Sequence, residues 1–293
     1  MTMRLHRPNP ARAGFTLVEL LVVVGIIGIL ASILMPSLVR AREAARRAVC
    51  GSNLRQVGMC LQMYADESDG RYPPLQPTNA PGCLPPLEYS PLVFKGELIY
   101  PEYLADARIL VCPSDLDGND QYQSGRWKEN FAPLEHRHTK PCLFDDLSYH
   151  YVPWAIRTSW IWDDALLDYD SNFVTEFQEV LRQSSLGLGT LPDWSFVDEN
   201  CRKQKVMALH QGVGRFMITD INAPWKGFKS ESELPVFFDQ LSVVVTDFNH
   251  VPGGTNVLYL DGHVSYEKYG TLEHYLTTRA WAMAVPMLRD RLY

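Results

Sequence analysis

Twenty consecutive residues without a formal charge, Leu20–Val39, follow a short basic N-terminal segment. At 1.5 Å per residue, a helix of this length covers the hydrocarbon core of a bilayer, which is about 30 Å thick. An ordinary secretory signal has a shorter apolar region that is followed by a cleavage site with small residues. Here the small residue Gly14 precedes the apolar run. We therefore predict a leader over 1–14 and a transmembrane helix over 15–39 that stays on the mature chain.

One acidic residue, Glu19, lies in the first turn of this apolar helix. A carboxylate at membrane depth costs about 2.5–3.5 kcal/mol, so it needs a partner. A cut after Gly14 would create an α-amine on Phe15, and the amine of a neighbouring chain is the partner that we expect. The alternative is that Glu19 lies in the headgroup region, where water solvates it.

The segment Gly14–Glu19, with the sequence GFTLVE, resembles the cleavage segment of the type IV pilin-like family, which includes prepilins and the pseudopilins of type II secretion. The family is cut between the residues that Gly14 and Phe15 match, and Glu19 and Pro36 match its glutamate and its helix-kinking proline. The resemblance implies cleavage by prepilin peptidase, N-methylation of Phe15 and assembly with other pilin-like subunits. It also implies a single-pass protein of the inner (cytoplasmic) membrane, in contact with membrane lipid and with inner-membrane assembly machinery, whose head is extracytoplasmic.

The segment 40–66 is rich in good helix formers, so we predict that the helix continues beyond the membrane. One apolar stripe with spacings of three and four residues follows this extension: Cys50, Leu54, Val57, Leu61 and Tyr64. We expect this stripe to pack on a globular head over 67–293.

Two sequence elements resemble a pilin-like subgroup common in planctomycete- and verrucomicrobia-type bacteria. The first is the pattern R-x-x-x-C-x-x-N-L-x-Q-x-G, matched here by Arg46, Cys50, Asn53, Leu54, Gln56 and Gly58. An amphipathic helix without further meaning would explain the periodicity but not this spacing. The second is the subgroup's H-x9-D-G element, matched by His250, Asp261 and Gly262, although ten residues separate His250 from Asp261 here.

Runs of β-branched and aromatic residues predict strands in the C-terminal third, at 214–220, 241–246 and 256–260. The last run meets Asp261-Gly262 and then a further apolar run. Asp-Gly between two such runs predicts a two-residue type I′ hairpin turn, in which both turn positions have positive φ. The fold class that we predict is α+β: a long N-terminal helix, transmembrane in its first half, packed on a head with an antiparallel β-sheet.

Two groups of residues could bind a metal ion. Asp115, Asp117 and Asp120 cluster around a glycine, and clustered oxygen ligands suit calcium, although a solvated turn is the interpretation that we favour. Zinc or another transition metal is the alternative for the C-terminal strands, where Asp247, His250, Asp261 and His263 would converge if the strands pair. Otherwise Asp261 serves the turn and His250 hydrogen-bonds a loop. No other cofactor is expected.

Six cysteines suit an oxidising compartment, but they allow 15 disulfide connectivities. We favour a bond between Cys50 and Cys112, because both lie in motifs that resemble the subgroup; the second motif is Cys-Pro-Ser-Asp at Cys112–Asp115. Free buried thiols are the alternative.

The formal charge of −7 argues against a nucleic-acid partner. The sequence contains neither the G-x-S-x-G nor the H-E-x-x-H motif of hydrolases. We therefore expect a structural subunit, not an enzyme, in a type II secretion pseudopilus or a related type IV pilus-like fibre. The alternative is a membrane-tethered extracytoplasmic binding domain or metal-dependent enzyme that is exported by the prepilin route.

Overall fold

The computed structural model describes residues 16–78, 83, 92–128, 138–156, 158–163, 168–169, 171–185, 191–198, 201–213, 230–240, 249–250, 253–269 and 281. The chain divides into two compact units, which we call the N-terminal unit (Met1–Ala45) and the head unit (Arg46–Tyr293). Gly14, Phe15 and the strands predicted at 214–220 and 241–246 lie outside the described residues.

Helix α1 (Leu17–Glu67) is 51 residues long. It confirms the helix expected over 15–66, with each bound shifted by one or two residues. Pro36 lies inside the helix, where it has no N–H group to donate to the carbonyl of Ser32. The chain leaves the helix through Asp69 and Gly70, whose φ angles of 54° and 78° are left-handed.

The other helices and strands all belong to the head unit. In chain order they are α2 (Gly96–Ile99), α3 (Leu116–Gln123), β1 (Tyr149–Tyr151), α4 (Thr158–Ile161), β2 (Trp162–Asp163), β3 (Asp168–Tyr169), α5 (Ser171–Ser185), β4 (Trp194–Val197), β5 (Lys203–Val206), β6 (Pro235–Asp239), β7 (Gly254–Tyr259) and β8 (Val264–Lys268). Short 3-10 helices lie at Ala107–Leu110, Pro141–Leu143 and Glu231–Glu233.

Within the described residues, the main sheet has four strands in the order β1-β6-β7-β8, and all these pairs are antiparallel. Two further antiparallel pairs are β2–β3 and β4–β5. With a long α1 and an antiparallel sheet, the α+β fold class is confirmed.

The predicted hairpin is present between β7 and β8, but the predicted turn type is wrong. Tyr259 N donates to His263 O, and Gly262 N donates to Tyr259 O, so the loop has three residues, 260–262. Gly262 has a φ of 87°, whereas Asp261 is not among the residues with positive φ. The carboxylate of Asp261 accepts from His263 N at 3.1 Å, a local bond that holds the turn in this form. This is a type I turn closed by a left-handed glycine.

The apolar stripe of α1 packs on the main sheet, as predicted. Cys50, Leu54, Val57 and Leu61 are buried, and Tyr64 is half-buried. Gly58 makes the closest approach, since a Cβ atom there would lie 2.9 Å from Leu258 Cδ1 on β7. The subgroup motif therefore includes positions that bring α1 close to the sheet.

Helix α5 covers a second, aromatic part of the core. Phe173 and Phe177 are four residues apart and lie on one helix face. The ring of Phe177 stacks on Trp194 of β4, with centroids 5.6 Å apart and 11° between the planes, and Phe173 lies 5.5 Å from the same ring. Aromatic packing thus fixes α5 against β4.

The expected disulfide between Cys50 and Cys112 is wrong. The structure joins Cys83 to Cys142 and leaves Cys50 and Cys112 as buried thiols. Cys83 and Cys142 lie outside both subgroup motifs, so the resemblance pointed to the other pair. The sulfur atoms of Cys50 and Cys112 belong instead to a polar cluster that also contains Asp239 and His250.

Candidate functional site

Glu19 forms a capping box at the N-terminus of α1. Its Oε2 accepts hydrogen bonds from Thr16 N at 2.9 Å and from Thr16 Oγ1 at 2.7 Å, while Glu19 N donates to Thr16 Oγ1 at 3.3 Å. Such reciprocal bonds satisfy N–H groups that have no partner inside the helix. Sequence reasoning considered only the charge of Glu19, although the Thr-x-x-Glu spacing was a signal for this cap.

The first half of α1 has an exposed apolar surface. Its large apolar side chains between Leu17 and Val39 are 45–78% exposed. Among the described residues, α1 is the one helix long and apolar enough to cross a membrane, with a mean hydropathy of 2.8 in its most apolar window. A continuous apolar surface of this size marks a contact with lipid or with other protein chains. Pro36 lies within this surface.

The carboxylates predicted as a calcium site belong to α3. Asp115 caps this helix: its Oδ1 accepts from Gly118 N at 2.8 Å, and its Oδ2 accepts from Ser148 Oγ at 2.6 Å. Burial raises the pKa of Asp115, against the effect of these two hydrogen bonds. Asp117 accepts from Gln121 at 2.6 Å, and Asp120 is exposed on the same helix. Calcium binding here stays a prediction.

The hairpin residues predicted to meet His250 contact each other instead. His263 Nδ1 lies 2.6 Å from Asp261 Oδ1, and the ring of His263 stacks on Tyr259 with centroids 4.3 Å apart. Asp261 and His263 are both partly exposed, whereas His250 is fully buried. Asp247 lies outside the described residues. The turn thus uses Asp261 locally, which was the alternative interpretation.

A buried polar cluster forms where α1 crosses three neighbouring strands. Tyr149 of β1 pairs with Asp239 of β6, and Asn256 N on β7 donates to Asp239 Oδ2 at 2.8 Å. From α1, Cys50 Sγ donates to Asp239 Oδ1 at 2.9 Å and accepts from Tyr149 OH at 3.3 Å. Three strands and one helix therefore bring polar side chains to one point inside the head unit.

His250 and Cys112 complete this cluster. His250 Nε2 lies 3.2 Å from Asp239 Oδ2, 3.6 Å from Cys112 Sγ and 3.1 Å from Asn256 Nδ2. The ligand atoms of Cys50, Cys112, Asp239 and His250 all lie within 4.8 Å of one another, and all four residues are buried. Sequence reasoning singled out Cys50, Cys112 and His250 separately but missed Asp239. The available signal was an acidic residue that ends the apolar run PVFFD.

Burial and contacts within the cluster shift the pKa values of its two thiols and its imidazole. Burial, reinforced by the neighbouring Cys112 and Asp239, raises the pKa of the Cys50 thiol. Burial alone would also raise the pKa of Cys112, but hydrogen bonds with Cys50 and His250 lower it. Burial disfavours the imidazolium of His250, yet the hydrogen bonds and negative charges of Asp239 and Cys112 raise its pKa to about 10. Two sulfurs, an imidazole and a carboxylate are a donor set that suits zinc.

Comparison with known proteins shows what the N-terminal part of the chain is similar to. Residues 9–35 match the family model described as the prokaryotic N-terminal methylation motif. The type IV major pilin protein PilA of Myxococcus xanthus is 37% identical over 67 residues, which are 23% of this chain and 30% of that protein. The N-terminal part of the chain is therefore similar to type IV pilins.

Two further relatives are similar to parts of this chain. The type II secretion system core protein G of Pectobacterium carotovorum is 35% identical over 107 residues, covering 36% of this chain and 63% of the relative. The type IV wide pilus major component PilA4 of Thermus thermophilus is 45% identical over 51 residues, covering 17% and 39%. The chain thus spans between about a third and two thirds of the lengths of these relatives.

A second family model covers the start of the head unit. Residues 39–141 match a family described as a protein of unknown function (DUF1559). This range includes Cys50 and Cys112, two members of the buried cluster. No solved structure matches the chain significantly.

Proposed function

We propose that this chain is a structural subunit that prepilin peptidase cuts between Gly14 and Phe15. The subunit would assemble with other pilin-like subunits into a type II secretion pseudopilus or a related type IV pilus-like fibre. One observation carries the proposal: the exposed apolar half of α1 begins inside the matched methylation motif. A helix of this kind must exchange lipid for the helices of neighbouring subunits when a fibre forms.

Before assembly, the inner membrane would hold the subunit as a single-pass protein. The uncharged run Leu20–Val39 is long enough to cross the hydrocarbon core, and the head unit would be extracytoplasmic. Inner-membrane assembly machinery would then extract subunits from the lipid. Helix packing, not a chemical step, would drive the process, because apolar surface stays covered by lipid or by other helices throughout.

Glu19 would set the register between subunits. Cleavage after Gly14 would place a new amine on Phe15, and the carboxylate of Glu19 in the next subunit is its natural counter-charge. The capping box holds this carboxylate at the first turn of α1, since both Thr16 donors bond to Oε2. The cap would thus orient the group that the neighbouring amine meets.

Two substitutions at Glu19 separate the cap from the charge. Glutamine also serves at this position of a capping box, so Glu19→Gln keeps the cap and removes the charge, while Glu19→Ala removes both. Thr16→Ala is the matched control that weakens the cap and keeps the charge. We expect both Glu19 variants to be cut normally and to enter sheared fibres at least roughly tenfold less than wild type, with a smaller loss for Thr16→Ala, which keeps the charge.

The readouts are the intact mass of the membrane form and the amount of subunit in the fibre fraction. Normal assembly of Glu19→Gln would show that the charge does not register the subunits. Loss of cleavage in either Glu19 variant would assign the residue to recognition by the peptidase instead.

The burial of the polar cluster argues against the alternative that the head unit is a membrane-tethered, metal-dependent enzyme. Cys50, Cys112 and His250 are fully buried, as is Asp239. A catalytic metal needs an open coordination position that a substrate can reach. The cluster therefore favours a structural role, which agrees with a fibre subunit.

A further inference from the structure

We propose that the head unit binds one zinc ion as a structural centre, with Cys50, Cys112, Asp239 and His250 as its four ligands. The inference is independent of the proposed function, because it rests on the interior of the head unit alone. Neither the pilin-like resemblance nor the relatives assign a metal to these residues.

The geometry of the four side chains fits a tetrahedral ion. With zinc–sulfur bonds of about 2.3 Å and zinc–nitrogen or zinc–oxygen bonds of about 2.1 Å, a tetrahedron separates sulfur from nitrogen by about 3.6 Å and nitrogen from oxygen by about 3.4 Å. Cys112 Sγ lies 3.6 Å from His250 Nε2, and His250 Nε2 lies 3.2 Å from Asp239 Oδ2. The 2.9 Å between Cys50 Sγ and Asp239 Oδ1 is shorter than the corresponding edge, and all four ligand atoms lie within 4.8 Å of one another.

The charges inside the cluster also favour a cation. Asp239 is fully buried, and in the part of the chain that the structure describes its ion-pair partner is His250, not a lysine or an arginine. Burying a carboxylate beside two thiols is costly unless a positive charge offsets it, and either a protonated His250 or a bound cation can supply that charge. Zinc supplies that charge and holds both sulfurs as thiolates, which are its preferred ligands.

Neighbouring residues orient the ligands, as the surroundings of metal sites usually do. Asn256 donates to Asp239 Oδ2 from its backbone nitrogen at 2.8 Å and from Nδ2 at 2.9 Å. Tyr149 OH donates to Cys50 Sγ at 3.3 Å. The carboxylate and one sulfur are thus fixed before any ion binds.

Four protein ligands in a closed site indicate a structural role for the ion. They come from three distant parts of the chain: α1, the segment after the 3-10 helix at Ala107–Leu110, and the region from β6 to the residue that bridges to the start of β7. Cys50 and Asp239 alone are 189 residues apart. An ion that joins such segments stabilises the fold, because the unfolded chain has no preformed site.

The first test is the metal content of the full chain, purified in detergent without chelators from cells grown with zinc. We expect one zinc per chain by elemental mass spectrometry. Exchange for Co²⁺ should give the strong visible bands of tetrahedral cobalt and a thiolate-to-cobalt charge-transfer band.

Matched variants assign the ligands. Cys50→Ser, Cys112→Ser and His250→Ala should lose the zinc and the cobalt spectrum. Cys60→Ser is the control for a buried thiol on the same helix, since Cys60 Sγ donates to Tyr103 O at 3.1 Å outside the cluster. His263→Ala is the control for a histidine at the exposed turn. Both controls should keep one zinc per chain.

A second measurement holds even if ligand variants fail to fold. A strong chelator should lower the Tm of the wild-type chain, and added Zn²⁺ but not Mg²⁺ should restore it. Wild type that contains no zinc and does not bind Co²⁺ would overturn the proposal. So would a Cys50–Cys112 disulfide in a non-reducing peptide map, or stoichiometric zinc in folded Cys50→Ser and Cys112→Ser.

Discussion

The first half of α1 and the buried polar cluster both depart from the usual distribution of side chains. The first exposes apolar groups, and the second buries ionisable groups. Between Leu17 and Val39, large apolar side chains are exposed, whereas in the head unit two thiols, a carboxylate and an imidazole are buried together. Folded chains normally bury apolar groups and leave ionisable groups in water. These two departures are the basis of the partners proposed above: lipid or neighbouring helices for α1, and a zinc ion for the cluster.

Helix α1 contains both environments within one continuous element. Leu34 is 63% exposed and Leu54 is 0% exposed, although the two residues are identical and lie on the same helix. The difference shows that the helix itself does not decide what its side chains contribute to stability. Their contribution depends on whether the sheet of the head unit or an external partner covers them.

The largest effect is expected from removing a buried leucine. Leu54→Ala should lower the free energy of unfolding of the head unit by about 2–5 kcal/mol, because it leaves a cavity under the sheet. Leu34→Ala should leave that free energy unchanged. Denaturant unfolding in detergent, followed by tryptophan fluorescence, reports on the head unit, since all seven tryptophans lie beyond residue 126. Equal losses from the two variants would contradict the comparison.

A charge placed at two equally exposed positions gives the next effect. Leu30 and Met59 are 56% and 55% exposed on the same helix. An arginine at Leu30 would lie inside the membrane at a cost of roughly 2.5–3.5 kcal/mol, so Leu30→Arg should reduce the amount of subunit retained in carbonate-washed membranes and in fibres. Met59→Arg should change neither amount, because its side chain would face water. If the washed membranes retain equal amounts of Leu30→Arg and Met59→Arg, Leu30 does not face lipid.

The smallest effect comes from two glycines on the side of α1 that meets the sheet. A Cβ at Gly51 would lie 3.8 Å from Val264 Cγ1, an ordinary contact, whereas a Cβ at Gly58 would lie 2.9 Å from Leu258 Cδ1. Gly51→Ala should stabilise the head unit by about 0.5–1 kcal/mol through helix propensity. Gly58→Ala should be less stable than Gly51→Ala by about 1–3 kcal/mol, since it overpacks the contact with Leu258. Thermal unfolding measures the Tm of both variants in parallel. Equal shifts in Tm would contradict this prediction.

The features predicted correctly from sequence are those set by local patterns. The hydrophobic run and the stripe at Cys50, Leu54 and Val57 predicted α1 and its buried face, because helical periodicity needs no knowledge of distant residues. The β7–β8 hairpin was predicted for the same reason. The predicted turn type was wrong. The Asp261 carboxylate accepts a hydrogen bond from His263 N, and the φ angle of Asp261 is not positive.

Long-range contacts explain what sequence reasoning missed. His250 was grouped with Asp247, Asp261 and His263, whereas its partners in the fold are Asp239, which is as near in sequence as Asp261, and Cys112, which is 138 residues away. Asp239 belongs to no motif, and its role follows only from the register of β1, β6 and β7. The disulfide likewise joins Cys83 and Cys142, which carry no recognisable pattern. Such contacts depend on the tertiary packing of the whole head unit.

Processing by prepilin peptidase is tested by the intact mass and N-terminal sequence of the chain from native membranes, with and without the peptidase. We expect a chain that begins at N-methylated Phe15 only when the peptidase is present. A chain that still begins at Met1, or one that is cut beyond the apolar run at Val39, would contradict this expectation.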